Sequence, residues 1–141
     1  MTRPPFNEPM PTVLVVDDEV RSQDALRRTL DEDFTVFTAS SADEARGLLQ
    51  RQPVSVILCD QRMPGMTGVN FLKEVREQWP EIVRMVISGY TDSEDIIAGI
   101  NEAGIYQYIL KPWSPDHLLE SVRNAVEAQV LQRQTSRLDL E

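Results

Sequence analysis

VSVILCDQRMPGMTG, residues Val54–Gly68, holds an unbroken apolar row, Val56 to Cys59, that stops at Asp60 and gives way to a loop marked by Pro64, Gly65 and Gly68. A row of that length suits a strand buried on both faces, as in a parallel sheet. An ionised carboxylate at the end of such a strand is poorly placed unless a cation or a reaction needs it there. Asp60 is therefore the residue on which the other informative positions should converge.

Working outward, Pro53 separates this strand from a helix that opens on the capping-box pair Ser41 and Glu44 and buries Ala42, Ala45, Leu48 and Leu49. Before it lie Phe34–Ala39, an alternating and less apolar strand suited to a sheet edge, and a helix over Arg21–Leu30 with Ala25, Leu26 and Leu30 on one face. The first strand, Thr12–Val16, is a β-branched run that ends in Asp17, Asp18 and Glu19. On the other side, Val69, Leu72, Val75 and Trp79 mark a helix that Pro80 terminates, and Val83–Ile87 forms a strand closing on Ser88 and Gly89. A further helix should bury Ile96, Ile97 and Ile100 and stop near Gly104. Tyr106–Leu110 then forms a strand ending at Lys111 and Pro112, and a last helix starts at Ser114 or Pro115 with Leu119, Val122 and Val126 as its packing face.

Five alternations of strand and helix predict a doubly wound α/β fold with a five-stranded parallel sheet, and the expected strand order is 2-1-3-4-5. Residues 1–10 read as a flexible leader, 11–128 as the folded domain, and 129–141 as a helical linker toward a missing output domain. A chain of 141 residues fits one core, and its net charge of −9 argues against a grip on nucleic-acid phosphates, which runs on clustered Lys and Arg. A single cysteine, Cys59, and a single histidine, His117, exclude a disulfide framework and leave little to bind zinc. No apolar run is long enough for a bilayer and the N-terminus lacks a signal-peptide core, so a cytoplasmic protein without membrane contact is expected.

Functional groups stand at four strand ends: Asp17 and Asp18, then Asp60, Ser88 and Lys111. In the expected strand order the first and third strands flank the switch point, where open α/β sheets bind ligands. Three carboxylates in one crevice raise one another's pKa, and a hard divalent cation such as Mg²⁺, which prefers oxygen ligands, resolves that repulsion. The Lys111 ammonium and the Ser88 hydroxyl suit phosphoryl oxygens, and a carboxylate can itself be a phosphoryl acceptor. Asp60 is the candidate acceptor. Taken singly, each piece has a plainer account: Asp17–Glu19 as a solvated helix cap, Ser88-Gly89 as a turn, Lys111-Pro112 as a surface bend.

The segments VLVVDDE, VILCDQRMPGMTG, VISGY and YILKPW, in this order, resemble the response-regulator receiver domain of two-component signalling, a flavodoxin- or CheY-like fold, over about Pro11–Gln129. The resemblance implies phosphorylation of Asp60 by a histidine kinase, with Mg²⁺ held by Asp17, Asp18, Asp60 and the Arg62 backbone carbonyl. It implies that Ser88 and Lys111 contact the phosphoryl group, that Lys111-Pro112 is cis, and that Tyr108 is a switch aromatic on the face of the fourth helix, fifth strand and fifth helix. The plainer account of Tyr108 is packing beside Ile100. Ser88 stands where receivers often carry Thr. The large side chains of Arg62 and Tyr90 fall at positions that tune phosphate lifetime in the family, and obstruction of water there implies slow self-dephosphorylation.

CDQRMPGMTG, SGYTD and YILKPW are most similar to receivers of NtrC-type transcriptional activators of the HupR or HoxA hydrogenase-regulator type, which implies an output domain in cis and transcription control. Receivers joined to HD-GYP phosphodiesterases share the KPW ending, and a pseudo-receiver active without phosphorylation is a further alternative. An aspartyl-nucleophile phosphatase would want a second Asp where Arg62 stands, and a nucleotide-binding module would want a phosphate-cradling loop where Asp17–Glu19 would repel one. The reading is thus of a signalling receiver rather than an enzyme, with dimerisation possible. Cys59 is expected as a buried hydrophobe, His117 as solvated, and Trp113 as a packing residue beside Lys111.

Overall fold

A computed structural model describes residues 10–89 and 93–140. Tyr90, proposed above as a lifetime residue, lies outside the described residues, as do residues 1–9 of the expected leader. The elements are β1 (Thr12–Val16), α1 (Val20–Leu30), β2 (Thr35–Ala39), α2 (Ala42–Arg51), β3 (Val56–Asp60), α3 (Gly68–Gln78), β4 (Val83–Ser88), α4 (Ser93–Ala103), β5 (Ile105–Leu110) and α5 (Pro115–Leu140). The strands form one sheet in the order β2-β1-β3-β4-β5, every pairing parallel, as the alternation of strands and helices requires.

The two-residue period of the strands sorts their side chains between two helical layers. Leu14, Val16, Ile57, Cys59 and Val86 face α2, α3 and α4. Val13, Val15, Val56, Leu58 and Met85 face α1 and α5. All five residues of β3 are buried, and the edge strands β2 and β5 are less covered.

Local signals set most helix ends. Ser41 Oγ accepts from the Glu44 amide at 3.1 Å while Glu44 Oε1 accepts from Ser40 N at 3.2 Å, so the capping box forms with its return bond one residue early. Trp79 is not a helical residue: α3 ends at Gln78 and Trp79 takes the C-cap, with its amide bonded to the Val75 carbonyl. α4 stops at Ala103, directly before Gly104.

Two packing expectations need correction. Ile97 is 66% exposed. Ile96 and Ile100 lie four residues apart on one face, and Ile97, about 100° round the helix from Ile96, turns to solvent. On α5 the buried stripe is Leu118, Val122 and Ala125, with Leu119 and Val126 only partly buried at its margin. Gln129 on α5 is also buried, and the helix continues without interruption to Leu140.

Candidate functional site

The parallel register brings the site together. Val16 of β1 pairs with Cys59 of β3, so Asp17 emerges beside Asp60 at the carboxyl ends of neighbouring strands. Asp60 in turn pairs with Ile87, which places Ser88 one step on in β4, and Ser88 pairs with Leu110, one residue before Lys111. The chain reverses its winding between β1 and β3, and the crevice there is the ligand position of this class of sheet.

Carboxylate oxygens of Asp17, Asp18 and Asp60 all lie within 4.8 Å of one another. Lys111 Nζ donates to Asp60 Oδ1 at 3.1 Å. Asp60 and Asp17 are buried, with 6% and 2% of their surface exposed, whereas Asp18 is exposed. Burial pushes the Asp60 carboxyl above its ordinary value of 3.8; the Lys111 ammonium and the Arg62 amide, both bonded to it, pull the other way, and Asp18 adds repulsion. Burial also raises Asp17, opposed by a hydrogen bond from the Glu19 amide and reinforced by the negative charge of Asp60.

Asp17 Oδ1 accepts from Glu19 N at 2.9 Å ahead of α1, as a cap would, but Asp17 is buried rather than solvated. Glu19 occupies the N-cap of α1, but its side chain caps nothing. The donor set fits a hard divalent cation: three carboxylates, two of them held above their ordinary range, face a single ammonium. Asp17, Asp18 and Asp60 could together hold such an ion.

Ser88 is fully buried and its hydroxyl donates to the Gly89 carbonyl at 3.0 Å. Half-buried Tyr108 donates its own hydroxyl to the same oxygen at 3.2 Å and packs against the same core cluster as Ile100. The Lys111-Pro112 bond is cis. An open groove of about 610 Å³ runs along the site, lined by Asp17, Ser22, Leu26, Lys111, Pro112 and Trp113. Arg62 is exposed at the start of the loop after β3. Cys59 is fully buried and burial pushes its thiol far up, which leaves it inert; His117 is exposed.

Two buried glutamines were not anticipated. Gln23 Nε2 donates to the Asp17 carbonyl at 2.6 Å and to Ser40 Oγ at 3.0 Å, tying α1 to the ends of β1 and β2. Its spacing to Leu26 and Leu30 places it on the apolar face of α1, and that is the signal that could have found it. Gln61, 4% exposed, directly follows Asp60, and no spacing marks it.

A parallel sheet in this order, carrying a carboxylate triad, a lysine and a hydroxyl at the strand ends, defines a phosphoryl-handling switch domain of the doubly wound class. Residues 13–123 match the family model described as the response regulator receiver domain, and the chain belongs to that family. It is 83% identical over 130 residues to the hydrogenase transcriptional regulatory protein HoxA of Cupriavidus necator, an alignment covering 92% of this chain and 27% of that protein. The chain thus spans about a quarter of the length of the curated relatives it matches. Among solved structures it resembles NtrX from Brucella abortus, with a TM-score of 0.85 and 32% identity over 92% of this chain and 30% of that one. It also resembles a CheY-like receiver domain protein from Methanospirillum hungatei, with a TM-score of 0.81 and 27% identity over 87% of this chain and 98% of that one. Among the described residues no helix is long and apolar enough to cross a membrane.

Proposed function

We propose that this chain is the phospho-accepting receiver of an NtrC-type transcriptional activator, taking a phosphoryl group from a histidine kinase onto Asp60. The observation that carries it is the Asp60 carboxylate itself, buried at the switch point, bonded to Lys111 at 3.1 Å and within 4.8 Å of two further carboxylates. The Asp60 oxygen forms the bond to phosphorus as the bond to the phosphohistidine nitrogen breaks, and the imidazole leaves with that electron pair. Asp17, Asp18, Asp60 and the Arg62 carbonyl would hold Mg²⁺, which when bound supplies positive charge to the transferring oxygens. Lys111 neutralises a second part of that charge, and the Ser88 hydroxyl moves from Gly89 to a phosphoryl oxygen. The groove beside Asp17 and Lys111 is the approach for the kinase.

Readout follows from the shared acceptor. Once Ser88 leaves the Gly89 carbonyl, the hydrogen bond from Tyr108 is no longer shared, and the face formed by α4, β5 and α5 repacks. Ile97, Tyr106 and Leu110 are exposed on that face and are a surface for homodimerisation. Residues 11–128 act as the receiver, 129–141 as a helical linker to an output domain in cis, and that domain alone contacts DNA, in the cytoplasm. The similarity to a hydrogenase transcriptional regulator favours this output over a phosphodiesterase, and the intact acceptor set weighs against a pseudo-receiver. Arg62 and Tyr90 would hinder an attacking water and so slow self-dephosphorylation.

Intact-mass measurement after incubation with Mg²⁺ and acetyl phosphate tests this directly. One phosphoryl group should add to the wild type and none to Asp60→Asn or to metal-stripped protein. A wild type that gains no mass would overturn the proposal.

A further inference from the structure

Gln61 closes the loop that follows Asp60. Its carbonyl accepts from Gly68 N at 2.9 Å, and its side-chain Oε1 accepts from Val69 N at 2.9 Å. Its own amide donates to the Ile87 carbonyl at 2.9 Å, which fixes the residue to β4. Gly68 and Val69 are the first two residues of α3, where amides have no partner within the helix. Thr67 Oγ1 takes the next amide, from Asn70, at 3.3 Å. One residue therefore satisfies two of the orphan donors of α3 and pins both ends of residues 62–67.

The clasp is close. A Cβ on Gly68 would stand 2.4 Å from the Asp60 carbonyl oxygen, so the helix start fits against β3 only because that position lacks a side chain. Within the clasped loop, the Arg62 amide bonds the Asp60 carboxylate. The same residue is the one whose carbonyl is assigned to the metal in the proposed function. With both ends of the loop held by Gln61, the Arg62 peptide has little freedom to turn.

We propose that the Gln61 carboxamide is a positioning residue for the metal centre: by holding the Val69 amide it keeps the loop closed and the Arg62 peptide aimed at Asp60. This assignment rests on the Mg²⁺-dependent reading of the site. Outer partners that orient a ligand set metal affinity without touching the ion, and their loss weakens binding by roughly 10- to 100-fold.

Gln61→Met keeps the volume and removes the acceptor; Gln61→Asn keeps the amide but falls one methylene short; Thr67→Ala removes the other cap of α3 and leaves the clasp. Mg²⁺ titration followed by tryptophan fluorescence, urea unfolding in chelator and exchange of the Val69 amide give three readouts. Gln61→Met should raise the Mg²⁺ dissociation constant about tenfold or more and speed Val69 exchange, and Gln61→Asn should do both to a smaller degree. Thr67→Ala should lose stability in urea while its Mg²⁺ affinity stays near the wild type. Wild-type Mg²⁺ affinity in both Gln61 variants, or an affinity in Thr67→Ala that falls in step with its stability, overturns the assignment. A wild type that shows no Mg²⁺ response overturns the metal centre itself, a distinct failure.

Discussion

With 2% of its surface exposed and the Asp60 carboxylate within ligand reach, Asp17 carries its negative charge at a cost. Burial, then repulsion from Asp60, holds it above the ordinary carboxylate value, against the opposing Glu19 amide. Its native form therefore binds a proton more tightly than the unfolded chain does. The stability lent by protonation is complete below the ordinary carboxylate range and is lost as pH rises through the raised native value. In metal-free protein, Asp17→Asn should accordingly melt a few degrees above the wild type at neutral pH, the gap closing as the solution is acidified. Saturating Mg²⁺ should reverse the order, since the wild type gains stability by binding and the variant gains little. Equal thermal responses of the two proteins to Mg²⁺ would sink this account. Asp17, Asp60 and Lys111 were legible in the sequence because each interrupts or ends an apolar run, where a charge has no packing reason to be. Gln61 was not, because a neutral amide after a strand looks like any loop residue until the amides it serves are in place.

α4 is fastened at one end and crowded in the middle. Arg84 donates to the Ala103 carbonyl at 2.8 Å, and Arg76 donates to the Asn101 and Glu102 carbonyls at 2.8 and 3.0 Å. Two guanidiniums thus hold the C-terminal carbonyls of the helix to α3 and β4, and burial, then the charge of Arg76, lowers the pKa of Arg84. Midway, a Cβ on Gly99 would stand 2.2 Å from Val69 Cγ1, a buried β-branched side chain with little room to yield. Gly99→Ala should therefore cost about 1–3 kcal/mol in urea unfolding, because α4 must move off α3. A neutral result would show that the contact between the two helices is soft. The sequence placed every element because apolar period and punctuation agree along the chain. It misassigned the face of α5, since Leu118-Val122-Ala125 and Leu119-Val122-Val126 are overlapping apolar stripes and only the sheet beneath chooses between them. The Arg84 anchor was invisible for a related reason: an arginine inside a strand gives no hint of which carbonyls it will reach.

Across the whole molecule, α5 is joined to the opposite end of the α1 layer by one long-range ion pair. Arg123 Nη2 and Nε reach Asp33 Oδ2 at 2.5 and 3.1 Å, ninety residues apart in sequence. The Asp33 side chain is 9% exposed, and its other oxygen has no partner among the described residues. Arg123→Ala should leave that carboxylate uncompensated and cost about 1–3 kcal/mol in urea unfolding, and Asp33→Asn in the same chain should recover part of the loss. A variant as stable as the wild type would remove the pair from any structural role. Neither partner could be matched from sequence, because contacts between α1 and α5 depend on the sheet to bring them together. The order of strands was legible at this scale; on α5, Gln129 is buried, Val130 and Leu131 are exposed, and the backbone of its 26 residues carries on as helix. At about 1.5 Å and 100° per residue, α5 is a shaft roughly 39 Å long whose azimuth is fixed by its rooting at Leu118 and Val122. Any segment joined to its tip inherits that angle, so a single inserted residue would turn it by more than a quarter of a revolution while leaving the phosphoryl chemistry untouched.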